Sequence, residues 1–174
     1  MRTSSRFIVF CALSLALGFT AVAADPTAGA ALRGISKVTV TVDGVTSNFE
    51  RYGLEASEVA ANARARLTAH GITVVDSELA ANDASASQVA IQLKTNTDPY
   101  GLYSYGLSVK LKRRVTLEGA EGAFVSHTVW SEGQNGVLNP SDLPRIYGYV
   151  ATLLDAFIRD YNRYNSQALN AAPH

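Results

Sequence analysis

The run YGLYSYGLSVKLKRRVTLE, Tyr100–Glu118, gathers tyrosines, glycines and four basic residues. Basic side chains at alternate positions can meet phosphate, sulfate or carboxylate groups, because ammonium and guanidinium ions form charge-assisted hydrogen bonds with oxyanions. Read with the period of two of a β-strand, Ser104, Gly106, Ser108, Lys110, Lys112, Arg114 and Thr116 share one face. Tyr103, Tyr105, Leu107, Val109, Leu111, Val115 and Leu117 share the other, interrupted by Arg113. Lys110, Lys112 and Arg114 therefore project side by side, ~7 Å apart given the strand repeat. Lys37 and Lys94, on neighbouring strands, are expected to extend the row. The competing reading is a solvated face whose lysines deter edge-to-edge aggregation. An alternation this long also predicts a bulge or bend, at Gly106 or at the Lys-Arg-Arg run.

Aromatic residues form a second set of candidates. Tyr100 follows Asp98-Pro99 in a turn and is expected to be exposed as a contact residue, whereas Tyr103 and Tyr105 read as core. Trp130, the single tryptophan, precedes a polar, glycine-bearing exit and is the other aromatic contact candidate. Tyr147, Tyr149, Tyr161 and Tyr164 outnumber the places in one helical stripe, which points to an aromatic patch as a contact surface.

Catalytic groupings are absent from the sequence. The histidines are His70, His127 and His174, and no HExxH, GxSxG or phosphate-binding loop occurs. The sequence therefore predicts no enzyme, no cofactor and no metal. The alternative is a hydrolase centred on His127 and Glu132, on the strand that carries Trp130. In a regular strand Trp130 and His127 face opposite ways, and a bulge would reconcile them.

Residues 1–24 have the pattern of a cleaved secretory signal: Arg2 and Arg6, an uncharged run, and small residues before Asp25. Cys11, the only cysteine, lies inside that run, so the mature chain has neither disulfides nor thiolate chemistry. Without Arg2 and Arg6, 13 Lys and Arg stand against 15 Asp and Glu, a formal charge of −2. A globally basic nucleic-acid binder is excluded by that balance, and any anion-binding surface must be local. No stable membrane span is expected after cleavage, which predicts a periplasmic or secreted location.

The elements that must position these residues follow from periodicity. SKVTVTVDG alternates as a strand with Val38, Val40 and Val42 on one face. GLEASEVAANARARLTAHG reads as a helix with Val59, Ala63 and Leu67 inward and Gly71 as its stop. GITVVDS reads as a short buried strand, QVAIQLKTNT and the Tyr100–Glu118 run as two further strands, EGAEG as a turn, and AFVSHTVWSEGQNG as the last strand. A helix from about Asn139 or Asp142 to Tyr164 carries Leu143, Ile146, Val150, Leu153, Phe157 and Tyr161 at spacings of three and four. The expected fold is α/β (α+β): one mixed sheet of about five strands in the order β-α-β-β-β-β-α, two helices on one face and the other face open. The expected divisions are a signal peptide at 1–24, a flexible N-terminus at 25–31, one domain at 32–165 and a disordered tail at 166–174.

The succession LRGISKVTVTVDGV, YGLEASEVAANARARLTAHGITVV, YGLYSYGLSVKLKRRVTL, TVWSEGQNG and LLDAFIRDYNRYN resembles a family of uncharacterised secreted bacterial α/β proteins. More remotely, the order is similar to the periplasmic domains of the TolB N-terminal, curli-secretion and polysaccharide-export lipoprotein type. That resemblance implies a non-enzymatic role in the envelope, through protein contacts or homo-oligomers. Phe10 before Cys11 departs from the lipoprotein pattern. The expected function is an exported binding or assembly module that meets an envelope protein or an anionic polymer through the open sheet face. A self-associating structural protein is a further alternative.

Overall fold

The computed structural model describes residues 29, 31–80, 83, 85–116 and 124–170, with the backbone alone at 79, 116, 124 and 166–170. The expected signal segment, the EGAEG turn and the last four residues lie outside the described residues. Five strands form one mixed sheet: β1 Lys37–Asp43, β2 Thr73–Val74, β3 Ser87–Thr97, β4 Tyr103–Thr116 and β5 Phe124–Leu138. Their spatial order is β2-β1-β3-β4-β5. The helices are α1 Ser47–Glu50, α2 Ala56–Ala69, α3 Ser77–Ala80 and α4 Arg145–Asn170, the last preceded by a 3₁₀ turn at Pro140–Asp142. The expected single mixed sheet is observed, open and not closed into a barrel. The terminal helix continues to Asn170, five residues past the domain end expected at Asn165.

The sequence periods account for the long elements. β1 pairs in parallel with both β2 and β3, so the chain leaves β1 through α2, returns on one side of it, then crosses to the other. Val59, Ala63 and Leu67 of α2 are buried, as are Leu143 and the α4 residues Ile146, Val150, Leu153 and Phe157. These stripes cover Val38, Val40, Val89, Ile91, Leu107, Val109 and Leu111 on one sheet face. Phe157 is fully buried, and losing such a ring to alanine costs about 3–5 kcal/mol in transfer and cavity terms. Gly71, at φ 78°, ends α2 as expected.

Two features depart from the expected plan. β2 is not a buried strand: it has two residues at the sheet edge, with Thr73 exposed, and it is Ile72 just before it that enters the core. The stretch after β2 contains α3, which lies across the sheet face opposite α2 and α4. Arg114 donates to the Ala80 carbonyl at 2.9 Å, and Thr39 beneath α3 is only 6% exposed. The crossover from β2 to β3 must pass over β1, and its small residues let it lie close to the sheet. The open face is therefore covered at the β1 end.

The N-terminal segment is tied down by side chains from β4 and α4. Arg113, the residue interrupting the apolar side of β4, donates to the carbonyls of Ala31 at 3.1 Å and Arg33 at 3.5 Å. Tyr161 donates its hydroxyl to the Ile35 carbonyl at 2.7 Å, and Asn165 donates to the Leu32 carbonyl at 3.0 Å. A guanidinium at an otherwise apolar strand position thus satisfies backbone acceptors that would cost free energy if buried alone.

Candidate functional site

The strand register decides which side chains meet. Lys112 of β4 pairs with Gln88 of β3, which pairs with Thr39 of β1, and Lys94 pairs with Gly106. Lys37, Lys94, Lys110, Lys112 and Arg114 therefore all lie on the sheet face away from α2 and α4. At strand positions of that face the only carboxylate is Asp43, which pairs with Gln92 at the far end of β1. The remainder is uncharged, mostly Thr, Ser, Gln and Asn, with Ala90 fully buried between Thr41 and Lys110 in the register.

These five cations are not equivalent. Lys37 forms an ion pair with Asp83 at 3.2 Å. The Asp83 carboxyl is held down to about 2 by the Ser85 hydroxyl first, then by the Ser85 backbone N–H and Lys37. Lys110 donates to Gln92 at 2.9 Å, and Arg114 is anchored at Ala80. Lys94 and Lys112 have no hydrogen bond or ion pair with any described residue. The period of two gives the shared face, but long side chains choose partners that a period cannot reveal.

A cleft of about 130 Å³ opens where α3 overhangs this face. Its walls come from β1, α3, β3, β4 and β5, and include Thr39, Thr41, Gln88, Lys112, Arg114 and Ser126. Gln88 donates its amide to the Thr41 hydroxyl at 3.1 Å, which fixes the amide within the wall.

On β5 the register skips one residue: Leu111 pairs with Trp130, whereas Lys112 pairs with Thr128. This bulge at Val129 lies opposite the Lys-Arg-Arg run and sits on β5 instead of β4. It places Trp130 and His127 on the same, helix-bearing side. Trp130 there packs edge-on against Phe157, with ring centroids 5.2 Å apart, and donates its indole N–H to Asp160 at 3.0 Å. His127 pairs with Arg113 and Glu132 with Val109, four residues apart on β4. The spacing is ~13 Å at the strand rise, which separates the two groups beyond any shared proton transfer. No cluster of His, Cys, Asp or Glu suited to a metal occurs among the described residues.

The helix tyrosines are engaged internally. Tyr149 stacks on Tyr105 at 5.8 Å, and Tyr147 accepts from the Glu55 N–H and donates to Glu58, each at 2.9 Å. Burial is the main reason that the Tyr147 and Tyr161 hydroxyls titrate above their ordinary value. Tyr100 stands apart, 89% exposed at the tip of the β3–β4 turn, where the Asp98 carboxylate accepts from the Tyr100 and Leu102 N–H groups. Tyr103 is half-buried against Phe49 and Tyr105 is buried.

No protein-family model matches this chain, and no curated protein does. Among solved structures it is similar to a PelC dodecamer from Paraburkholderia phytofirmans, at 14% identity over 74% of this chain and 89% of that one, TM-score 0.41. The PelC dodecamer from the same organism without the leucine-to-methionine substitution carried by the first gives TM-score 0.35 at 14% identity, over 75% and 88%. A minor lipoprotein from Acinetobacter baumannii gives 0.30 at 13% identity, over 77% and 92%. Scores and identities at this level carry no argument about activity or partner. No helix among the described residues is long and apolar enough to cross a membrane.

Proposed function

We propose that the chain is an exported, non-enzymatic binding module of the bacterial envelope that holds an anionic polymer on the sheet face opposite its long helices. One observation carries this reading: strand positions of that face bring together Lys37, Lys94, Lys110, Lys112 and Arg114 against the single carboxylate Asp43. In a chain whose mature formal charge is −2, such segregation makes a local positive field where the molecule as a whole has none. Lys94 and Lys112 carry most of the attraction, because Lys37 is already paired with Asp83 and Arg114 is tethered at the Ala80 carbonyl. The test is retention on an immobilised uronic or sulfated polysaccharide under a salt gradient. The protein is expected to bind at low salt and elute at higher salt than its Lys94→Glu, Lys112→Glu double variant; flow-through of the unaltered protein would contradict the reading.

A second reading, self-association, is favoured by a different observation. β5 is a 15-residue strand paired only with β4 among the described strands, and it contains no Lys, Arg or Pro. Val125 and Val137 are 47% and 61% exposed along it. Such an edge is a template for another strand unless something blunts it, and among its described residues the bulge, the glycines and the single charge of Glu132 do so. Light scattering across a concentration series distinguishes the readings: a monomer at every concentration contradicts self-association and leaves the polymer reading untouched.

A further inference from the structure

We propose that the cleft beneath α3 is a subsite for a single tetrahedral oxyanion, a phosphate or sulfate group. The proposal deepens the reading of the sheet face as an anion-binding surface and rests on it for the identity of that face alone. The cleft itself is a separate observation.

Among the described residues its lining contains two cations, Lys112 and Arg114, and no acidic side chain. Lys112 is half-buried and has no hydrogen bond or ion pair with any described residue. Ammonium groups withdrawn from water ordinarily acquire an anionic or polar partner, so a place is left beside it for an acceptor. Arg114 stands at the cleft wall, where its guanidinium donates to the Ala80 carbonyl at 2.9 Å. The remaining polar walls come from separate directions: Thr41 and Gln88 from the sheet floor, Ser126 from β5 and Ser77 from the overhanging helix. A planar carboxylate accepts hydrogen bonds mainly in its own plane, whereas a tetrahedral oxyanion accepts all round and can use donors converging from strand, edge and helix together.

Size points the same way. The cleft measures about 130 Å³. Whole small-molecule ligands need ~300 Å³ or more. The cleft suits one charged group, with the rest of the molecule outside along the row towards Lys110 and Lys94. A free anion, a phosphorylated or sulfated sugar, and a lipid headgroup all present the same oxygens.

The experiment is an amide-resolved NMR titration of the protein at constant ionic strength, with inorganic phosphate, sulfate and acetate as probes. Phosphate and sulfate are expected to produce saturable shifts centred on Thr41, Gln88, Lys112 and Ser126, with acetate weaker. Lys112→Gln is expected to weaken phosphate binding about tenfold, the usual order for one charge-assisted bond. Lys94→Gln, altered on the same face but outside the cleft, is expected to bind as the unaltered protein does. Equal loss in the two variants, equal binding of acetate, or shifts that never saturate would overturn the subsite in favour of diffuse surface charge. Lys112 has no described partner within the fold, and an unchanged circular-dichroism spectrum checks that its variant is folded. Glucose-1-phosphate and phosphatidylglycerol vesicles, as further arms, separate a sugar ester from a headgroup, and binding of either at the same residues supports the subsite and names its source. Phosphate binding without polysaccharide retention would sink the polymer reading and leave the subsite standing; retention without phosphate binding would do the reverse.

Discussion

Trp130 donates its indole N–H to the carboxylate of Asp160 across 3.0 Å, joining the edge strand β5 to the terminal helix. The bulge at Val129 permits this, because it turns Trp130 and His127 to one side of the strand. Trp130→Phe keeps an aromatic ring against Phe157 and removes the bond. It is expected to cost about 1.5 kcal/mol, the lower end for a hydrogen bond to a charged group. Trp130→Ala, which also removes the ring packing, is expected to cost at least twice as much. Urea denaturation of the two variants checks the ratio, and equal losses would show that the indole N–H contributes nothing.

Gly44 ends β1 at φ 85°, where an added Cβ would stand 1.7 Å from the Leu93 carbonyl oxygen. Neither strand can retreat without breaking the β1–β3 ladder. Gly44→Ala is therefore expected to destabilise by more than 3 kcal/mol, within the range of strained and overpacked sites. Gly71→Ala has a similar φ of 78° but open space around it, so its cost is the ~1 kcal/mol of a left-handed alanine. Thermal unfolding of both variants separates crowding from backbone strain.

Arg66 of α2 donates two hydrogen bonds of 2.6 Å to Asp155 of α4. That pairing holds the Asp155 carboxyl below the usual carboxylate range. Stabilisation from a depressed carboxyl pKa is present above the unfolded value and lost as pH falls through the folded one. Both side chains are more than one-third exposed, so the pair is worth about 0.5 kcal/mol. Asp155→Asn is expected to lower stability by that amount at pH 7 and to make no difference at pH 2.

Asp83 titrates at about 2, with the Ser85 hydroxyl as the largest cause and Lys37 a lesser one. Ser85→Ala is expected to raise that value further than Lys37→Ala does, as read by carboxyl-carbon NMR. The depressed pKa makes this loop's contribution one that fades as pH falls from the ordinary carboxylate range towards 2. A larger effect from Lys37→Ala would mean that the ion pair, not the serine turn, orders the loop.

Much of the architecture was legible because its period was unbroken. Val38 and Val40, the stripe Val59–Ala63–Leu67, and the α4 series ending at Phe157 are buried as their spacing required. The common face of Lys110, Lys112 and Arg114 follows from the same rule, and β3 and β4 add Lys94 through register. What escaped sequence reasoning depends on contacts between distant segments. One extra residue at Val129 changed which side Trp130 shares with His127, and no local pattern marks that residue. α3 is a single turn, too short for a period, yet it encloses the cleft. Lys110 and Gln92 meet because two strands align, which neither strand announces alone.

The central claim is that the face bearing Lys94 and Lys112, rather than net charge, binds an anionic polymer. The most direct measurement compares salt-gradient elution from an immobilised anionic polysaccharide for two variants of equal charge change. One carries Lys94→Glu and Lys112→Glu; the other carries Arg64→Glu and Arg159→Glu on the helix layer, where both arginines are exposed. The sheet-face variant is expected to lose retention while the helix-layer variant elutes with the unaltered protein. Equal loss in both, or retention unaffected in both, would contradict it.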